Sequence, residues 1–425
     1  MPAPLNPIVY VCVVSGYNLP ELEACMARRP GDVVLVVSDH EQFEKAADRL
    51  EKLLSESLPG VAVHRPDLQP GACSLGGDDV LECQVWVRSV LVPYLQRTEL
   101  AGRPRYLNFT GGTKAMTMAL FCAPGWEGMD YKAASRQQLQ VVALCAGEAG
   151  DGALVTSREP LPIADVSPVA VAALHNKYIT QDRSNPLFDR PESLGLAQAI
   201  WDAQESQDAE LIGLFDLLEQ VWSAGREVEA YQRERVSLPV ADGLDVARLD
   251  VWLARLAALQ CNVIYRDARQ LSVPGNRIKK PQRAFVDWVS GDWLEQLCHN
   301  WLLHAGMPEA AMARNLKSGP DAARSGSQRE ADLLLHHRGQ TRLLEVKAGL
   351  PKGHSPAELE SQVSSLGGRF GQTRKALFVS PRLRRQLECS RSWDNFALRC
   401  QASQVVLCHD RSSLLKFAGL SAEVR

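Results

Sequence analysis

Short apolar runs alternate with amphipathic stretches over the first 150 residues. Residues 8–14 and 33–37 are unbroken apolar runs, the pattern of strands buried on both faces. Leu19–Arg28 and Glu41–Ser57 carry apolar residues at helical spacing; in the second these are Phe43, Ala46, Ala47, Leu50, Leu53 and Leu54. A short strand at 61–64, a helix at 78–96, a strand at 106–109, a helix at 113–122 and a strand at 140–145 continue the alternation. This order predicts a Rossmann-like parallel sheet.

The pattern then changes. Residues 147–195 are rich in Gly, Pro, Asp and Ser and predict a connector with little regular structure. Residues 196–260 predict helices, and 261–273 a strand pair about a polar turn, together a winged-helix-like arrangement. From about Val289 the order is helix (293–304), strand (312–316), strand (330–337), strand (341–347), helix, strand (376–380). The two central strands form a hairpin about Arg338-Gly339-Gln340. Ser355, Pro356 and Glu358 have the spacing of an N-cap, first-turn proline and capping box. The expected fold is α/β, with boundaries at 1–150, 151–288 and 289–425.

Composition narrows the class. The 425 residues are 45% hydrophobic and 23% charged, with a net charge of −3, as for a water-soluble globular chain rather than one that coats nucleic acid through bulk charge. Local basic runs occur at 277–280 and 382–385. None of the eleven cysteines forms a Cys-x-x-Cys pair, so reduced thiols are expected and a cysteine zinc site is not. No secretion signal or apolar run of membrane-spanning length is seen. The expectation is a cytoplasmic protein with no membrane partner.

The hairpin carries the first candidate chemistry. Alternate strand residues share a face, so Asp332 and Glu345 converge across the hairpin with Lys347 one pleat along. Paired carboxylates favour a hard divalent cation, Mn²⁺ or Mg²⁺. Such an ion polarises a phosphoryl oxygen, and an adjacent lysine orients water and offsets charge. On an exposed face the same residues would be a surface pair of little energetic value. His299 and His304 share a helix with Glu295; His336 and His337 are strand neighbours that face opposite ways and make poor joint ligands.

The motif Arg329-Glu330-Ala331-Asp332, then Leu344-Glu345-Val346-Lys347, resembles the PD-(D/E)XK nuclease superfamily over about residues 290–410. The resemblance implies a restriction-endonuclease-like fold with catalytic residues Glu295, Asp332, Glu345 and Lys347, of which Asp332 and Glu345 hold the metal. Glu330 and Gln362 are candidate supporting residues. Asp292 and Glu295 also have capping-box spacing, which offers Glu295 a purely local role.

A second constellation lies near the N-terminus. Asn108-Phe109-Thr110-Gly111-Gly112-Thr113-Lys114 follows a strand and opens a helix, and Ser15-Gly16-Tyr17-Asn18 follows the first strand. Glycines and free helix-start N–H groups suit an anionic ligand, as they also suit a tight turn. The spacing is neither Walker A nor the dinucleotide motif. Both loops belong at the carboxyl edge of a parallel sheet, where such folds bind ligands.

Asn-x-Thr-Gly-Gly-Thr-Lys at a strand end resembles the signature of CARF sensor domains, over about residues 5–150. With the nuclease motif, and with Leu366 to Gly371, the chain resembles CRISPR ancillary nucleases. That resemblance implies a homodimer activated by cyclic tetra-adenylate, which Ser15, Gly16, Asn18, Asn108, Thr110, Gly111, Gly112, Thr113 and Lys114 would bind. The expected activity is metal-dependent endonucleolytic hydrolysis of DNA or RNA in type III antiviral defence. Two rival expectations stand beside it: a CARF-regulated transcription regulator with an inactive nuclease fold, and a repair or restriction nuclease needing no nucleotide.

Overall fold

Buried apolar strands build the first sheet of the computed structural model. It describes residues 4–421 except 70–73, 98, 133–137, 146–152, 157–160, 164–165, 177, 182–184, 223–234, 241–242, 260–264, 268–269, 275–279, 320–328, 351–354, 368–369 and 372. The strands are β1 (Asn6–Val13), β2 (Pro30–Val36), β3 (Ala62–His64), β4 (Arg105–Asn108), β5 (Gly128–Tyr131), β6 (Gln138–Cys145), β7 (Ala153–Thr156) and β8 (Leu161–Pro162). The helices between them are α1 (Leu19–Arg28), α2 (Glu41–Ser57), α3 (Val80–Trp86), α4 (Val92–Leu95) and α5 (Lys114–Phe121).

The sheet order is β3-β2-β1-β4-β5-β6-β7, with β8 also pairing β6. Strands β1 to β5 run parallel to one another, and β6 and β7 are antiparallel additions. Alternate residues of the apolar runs enter opposite layers. Val9, Val11 and Val13 pack with Trp86, Leu91 and Met116, while Tyr10, Cys12 and Val14 pack with Leu22, Leu50 and Leu54. Chain order reverses between β1 and β4, so the loops after these two strands flank the crevice at the sheet's switch point.

The stretch expected to be an irregular connector contains α6 (Pro168–His175) and β9 (Tyr178–Gln181). Strand β9 joins the distant C-terminal sheet by pairing with β13 (Met312–Gly319). Its partner lies more than a hundred residues away, so local composition carried no sign of it.

The middle region has α7 (Pro191–Glu205), α8 (Ala209–Trp222), β10 (Arg235–Pro239), α9 (Val246–Ala257), β11 (Tyr265–Asp267) and β12 (Gln270–Pro274). The expected strand pair gains a third member, in the order β10-β12-β11, all antiparallel. Residues 261–264 of the expected pair and 277–279 of the basic run lie outside the described residues.

The last region has α10 (Lys280–Asp287), α11 (Trp293–His304), β13, β14 (Arg329–His337), β15 (Gln340–Lys347), α12 (Pro356–Gly367), β16 (Arg374–Val379), α13 (Pro381–Cys389), α14 (Trp393–Ala402), β17 (Val405–Cys408) and α15 (Arg411–Ala418). The sheet order is β17-β16-β15-β14-β13-β9. Glu358 accepts from the Ser355 backbone N–H at 2.7 Å, half of the expected capping box. One apolar cluster runs from Leu196 and Leu214 through Trp252, Trp288 and Trp293 to Leu333 and Leu344. The middle helices therefore share a core with the C-terminal sheet. Among the described residues, no helix is long and apolar enough to cross a membrane.

Candidate functional site

Hairpin β14–β15 keeps its ladder from His337↔Gln340 to Leu333↔Leu344. At the next pair, Asp332 and Glu345, side chains take over the bonding. The Val346 N–H donates to Asp332 Oδ2 at 2.7 Å, and the Asp332 N–H reaches Glu345 Oε1 at 3.4 Å. Both carboxylates are thereby held across the hairpin by backbone. Lys347 Nζ sits between them, 3.2 Å from Asp332 Oδ2 and 3.2 Å from Glu345 Oε2.

Burial pushes the Glu345 carboxyl up to about 8, with Asp332 adding to the rise and Lys347 opposing it. Burial also works against the Lys347 charge, yet Asp332, Glu345 and Glu295 together hold its pKa well above the usual value. Two carboxylates and an ammonium thus depend on one another for charge balance.

Glu295 reaches this place through a helix irregularity. Between α10 and α11 the backbone makes a π-turn at Trp288–Asp292, which changes the direction of the residues that follow. Asp292 and Glu295 then line a cavity of about 490 Å³ together with Asp287, Lys347 and Arg382. Asp292 is helical and caps nothing; its carboxylate accepts from Asn185 Nδ2 at 2.6 Å. The alternative local role of Glu295 in a capping box is therefore not realised. Burial, Asp332 and Asp292 raise the Glu295 carboxyl well above the usual range. Burial raises Asp292 to about 6, against the Asn185 hydrogen bond.

Other candidates lie apart from this group. Glu330 is exposed and pairs with Lys317 at 3.5 Å. Gln362 is on the exposed side of α12. His299 packs edge-on against Phe188, and burial lowers its pKa to about 4. His304 is exposed and bonds the Asn300 carbonyl. Asp292 and Asn185 were not singled out from sequence. Capping-box spacing hid the first, and the second acts across more than a hundred residues.

Among the described residues, no three His, Cys, Asp or Glu side chains are gathered closely enough to hold a metal. The donors that converge are oxygen-rich and already surround a positive charge. Hard-cation chemistry fits Asp332 and Glu345, with Glu295 beside them.

The two N-terminal loops meet around a second cavity of about 450 Å³. Ser15, Thr110, Gly111 and Gly112 line it, as do Tyr17, Pro20, Glu21, Tyr131 and Lys132. The remaining loop residues shape the walls. Asn18 Oδ1 accepts the Ser15 N–H at 2.8 Å, and Asn108 Oδ1 accepts the Thr110 N–H at 3.0 Å. Thr113 caps α5 by accepting the Met116 N–H and donates to the Gly77 carbonyl. Gly16 and Lys114 are exposed and do not line the cavity. Glycine is required at 112, where φ is +79° and a Cβ would lie 2.2 Å from the Val13 side chain.

Glu21 was missed because a glutamate in the first turn of a helix ordinarily faces water. Here it is fully buried, and neither side-chain oxygen has a hydrogen-bond partner. Burial pushes its pKa up to about 8. A carboxyl raised in the folded state contributes stability that is complete below about pH 4.5 and is lost as pH rises to about 8. The melting temperature of Glu21→Gln should therefore fall less than wild type between pH 5 and 8. Parallel pH profiles would show that Glu21 is ionised throughout.

No family model matches the chain, and no curated protein matches it. Solved structures do. Protein VC1899 from Vibrio cholerae superposes with a TM-score of 0.67 at 12% identity, covering 98% of this chain and 99% of that one. Can2 from Sulfobacillus thermosulfidooxidans, solved in complex with cyclic tetra-adenylate, superposes with a TM-score of 0.63 at 16% identity, covering 96% of each chain. A type III CRISPR defence DNA nuclease activated by cyclic oligoadenylate gives a TM-score of 0.49 at 17% identity, covering 89% of this chain and 46% of that one. Over nearly its whole length, the chain has the fold of VC1899 and of Can2.

Proposed function

We propose that the chain is a metal-dependent nuclease of type III CRISPR antiviral defence, switched on by cyclic oligoadenylate. The observation that carries the nuclease reading is the seating of Lys347 between Asp332 and Glu345 where the hairpin ladder ends. A divalent cation, when bound, supplies Lewis-acid polarisation of the phosphodiester and lowers the pKa of water. Asp332 and Glu345 would hold it. Lys347 would orient water and neutralise charge accumulating on the phosphoryl oxygens. Glu295 and Asp292 supply further carboxylates on the cavity wall.

The activator reading draws on the switch-point cavity and on Can2, which binds cyclic tetra-adenylate in the same fold. A two-fold symmetric ring suits a homodimer. Leu81, Val85 and Met118 are 71%, 62% and 57% exposed on α3 and α5, an apolar face that a second copy would cover. Cleavage of mixed DNA and RNA substrates should require both Mn²⁺ or Mg²⁺ and cyclic tetra-adenylate. Equal cutting without nucleotide would remove the sensor, and equal cutting in EDTA would remove the metal.

A second reading draws on the β10-β12-β11 sheet, whose Leu271 shares a core with Leu214 of α8 and Leu249 of α9, a winged-helix-like unit. It predicts ligand-dependent DNA binding with no cutting and no response to EDTA.

A further inference from the structure

The N-terminal cavity has a wall from the other end of the chain. Gly339, Gln340 and Thr341, at the turn of β14–β15, line it together with Arg374 at the start of β16. Register sets Arg374 directly beside Arg342. Arg342 is 5% exposed, its Nε has no hydrogen-bond partner, and its other nitrogens reach only the neutral Gln340. Burial and the neighbouring Arg374 lower its pKa to about 10. Among the described residues, no carboxylate pairs with either guanidinium. Arg374 lines the cavity, while Arg342 stands behind it and is not part of the lining; an anion bound at Arg374 would offset the like charge of the pair.

The facing wall is unsatisfied in the complementary sense. Glu21 lines the same cavity, fully buried, with both oxygens unpartnered. It fits only because residue 111 is glycine, whose added Cβ would lie 2.4 Å from Glu21 Oε1. A ligand with anionic oxygens on one side and hydroxyl or amino groups on the other satisfies both walls. A phosphodiester-linked nucleotide has both.

We propose that Arg374 and Gln340 of the C-terminal sheet bind the phosphate-bearing ligand of the N-terminal pocket. The ligand is then gripped from both ends of the chain and acts directly on the hairpin that carries Asp332 and Glu345. Gln340 and Glu345 lie on one continuous strand, about 17 Å apart at strand rise. No chain of intermediate residues is needed between ligand and carboxylates. The ligand moves the hairpin only as far as it binds one placement better than another. This inference rests on reading the pocket as a cyclic oligoadenylate site.

The test is binding of labelled cyclic tetra-adenylate to the full chain and to Arg374→Ala, Gln340→Ala and Arg384→Ala. Arg384 pairs with Glu388 on the surface and controls for loss of one arginine. Arg374→Ala should weaken binding about tenfold or more, with Gln340→Ala weaker than wild type and Arg384→Ala unchanged. The nucleotide concentration for half-maximal cleavage should rise in parallel. Arg374 is exposed, so the melting temperature should hold and separate lost binding from lost folding. Wild-type affinity in both Arg374→Ala and Gln340→Ala overturns the inference alone. Absence of binding by wild type overturns the reading beneath it as well.

Discussion

Glu345→Ala and Lys347→Ala should each lower metal-dependent cleavage by about 10³-fold, and for different reasons. Glu345 is 4% exposed, and its oxygens meet the Asp332 N–H and the Lys347 ammonium. Its removal would take away one of the two proposed cation ligands and loosen the hairpin where the ladder ends. Mn²⁺ affinity, measured by titration calorimetry, should fall with activity.

Lys347→Ala removes the charge now seated between the carboxylates. Asp332 and Glu345 would then face each other without a counter-ion and bind Mn²⁺ at least as tightly as before, while cleavage is lost. Calorimetry and cleavage on the two variants separate ligand from charge-stabilising group. Wild-type cleavage by Lys347→Ala would remove the lysine from the chemistry. Unchanged Mn²⁺ affinity in Glu345→Ala would remove the glutamate from the metal.

The second large effect is expected far from Asp332 and Glu345. Glu23 of α1 is completely buried, with Lys132 Nζ at 2.6 Å and His336 Nε2 of β14 at 3.2 Å. The pair and histidine link the first and last regions of the chain, beside the N-terminal cavity that Lys132 lines. Removing one partner of a buried ion pair leaves the other charge uncompensated and costs about 3–5 kcal/mol. Lys132→Met should cost stability on that scale in denaturant unfolding. Replacing both, as Lys132→Met with Glu23→Leu, should recover most of it, because no orphan charge remains. A single variant as stable as wild type would show that water reaches Glu23.

The same elements separate what was legible in the chain from what was not. Period-two alternation and a tight turn, which in the structure is the two residues Arg338-Gly339 rather than the three expected, were enough to bring Asp332, Glu345 and Lys347 together, because hairpin partners are sequence neighbours. Helix Trp293–His304 was readable to the residue from its apolar spacing. The loops after β1 and β4 were legible as neighbours at one edge of the sheet, where they meet around a cavity, since strand-to-helix order alone places them at the carboxyl ends. Local patterns carry this information because backbone geometry sets their period.

Tertiary structure decided the rest. It drew β9 from an apparent connector into the C-terminal sheet, turned Asp292 and Glu295 toward a cavity through a π-turn, and left Lys114 in solvent. It buried Glu21 and Glu23 on a helix whose sequence marks both for water. It also closed the N-terminal cavity with Gln340 and Arg374, more than two hundred residues from Ser15. Each outcome depends on which distant surfaces pack together, and no local period encodes that. The sequence by itself determined most of the elements and the convergence of Asp332, Glu345 and Lys347; packing between the first and last sheets decided that this cluster and the N-terminal cavity share one strand.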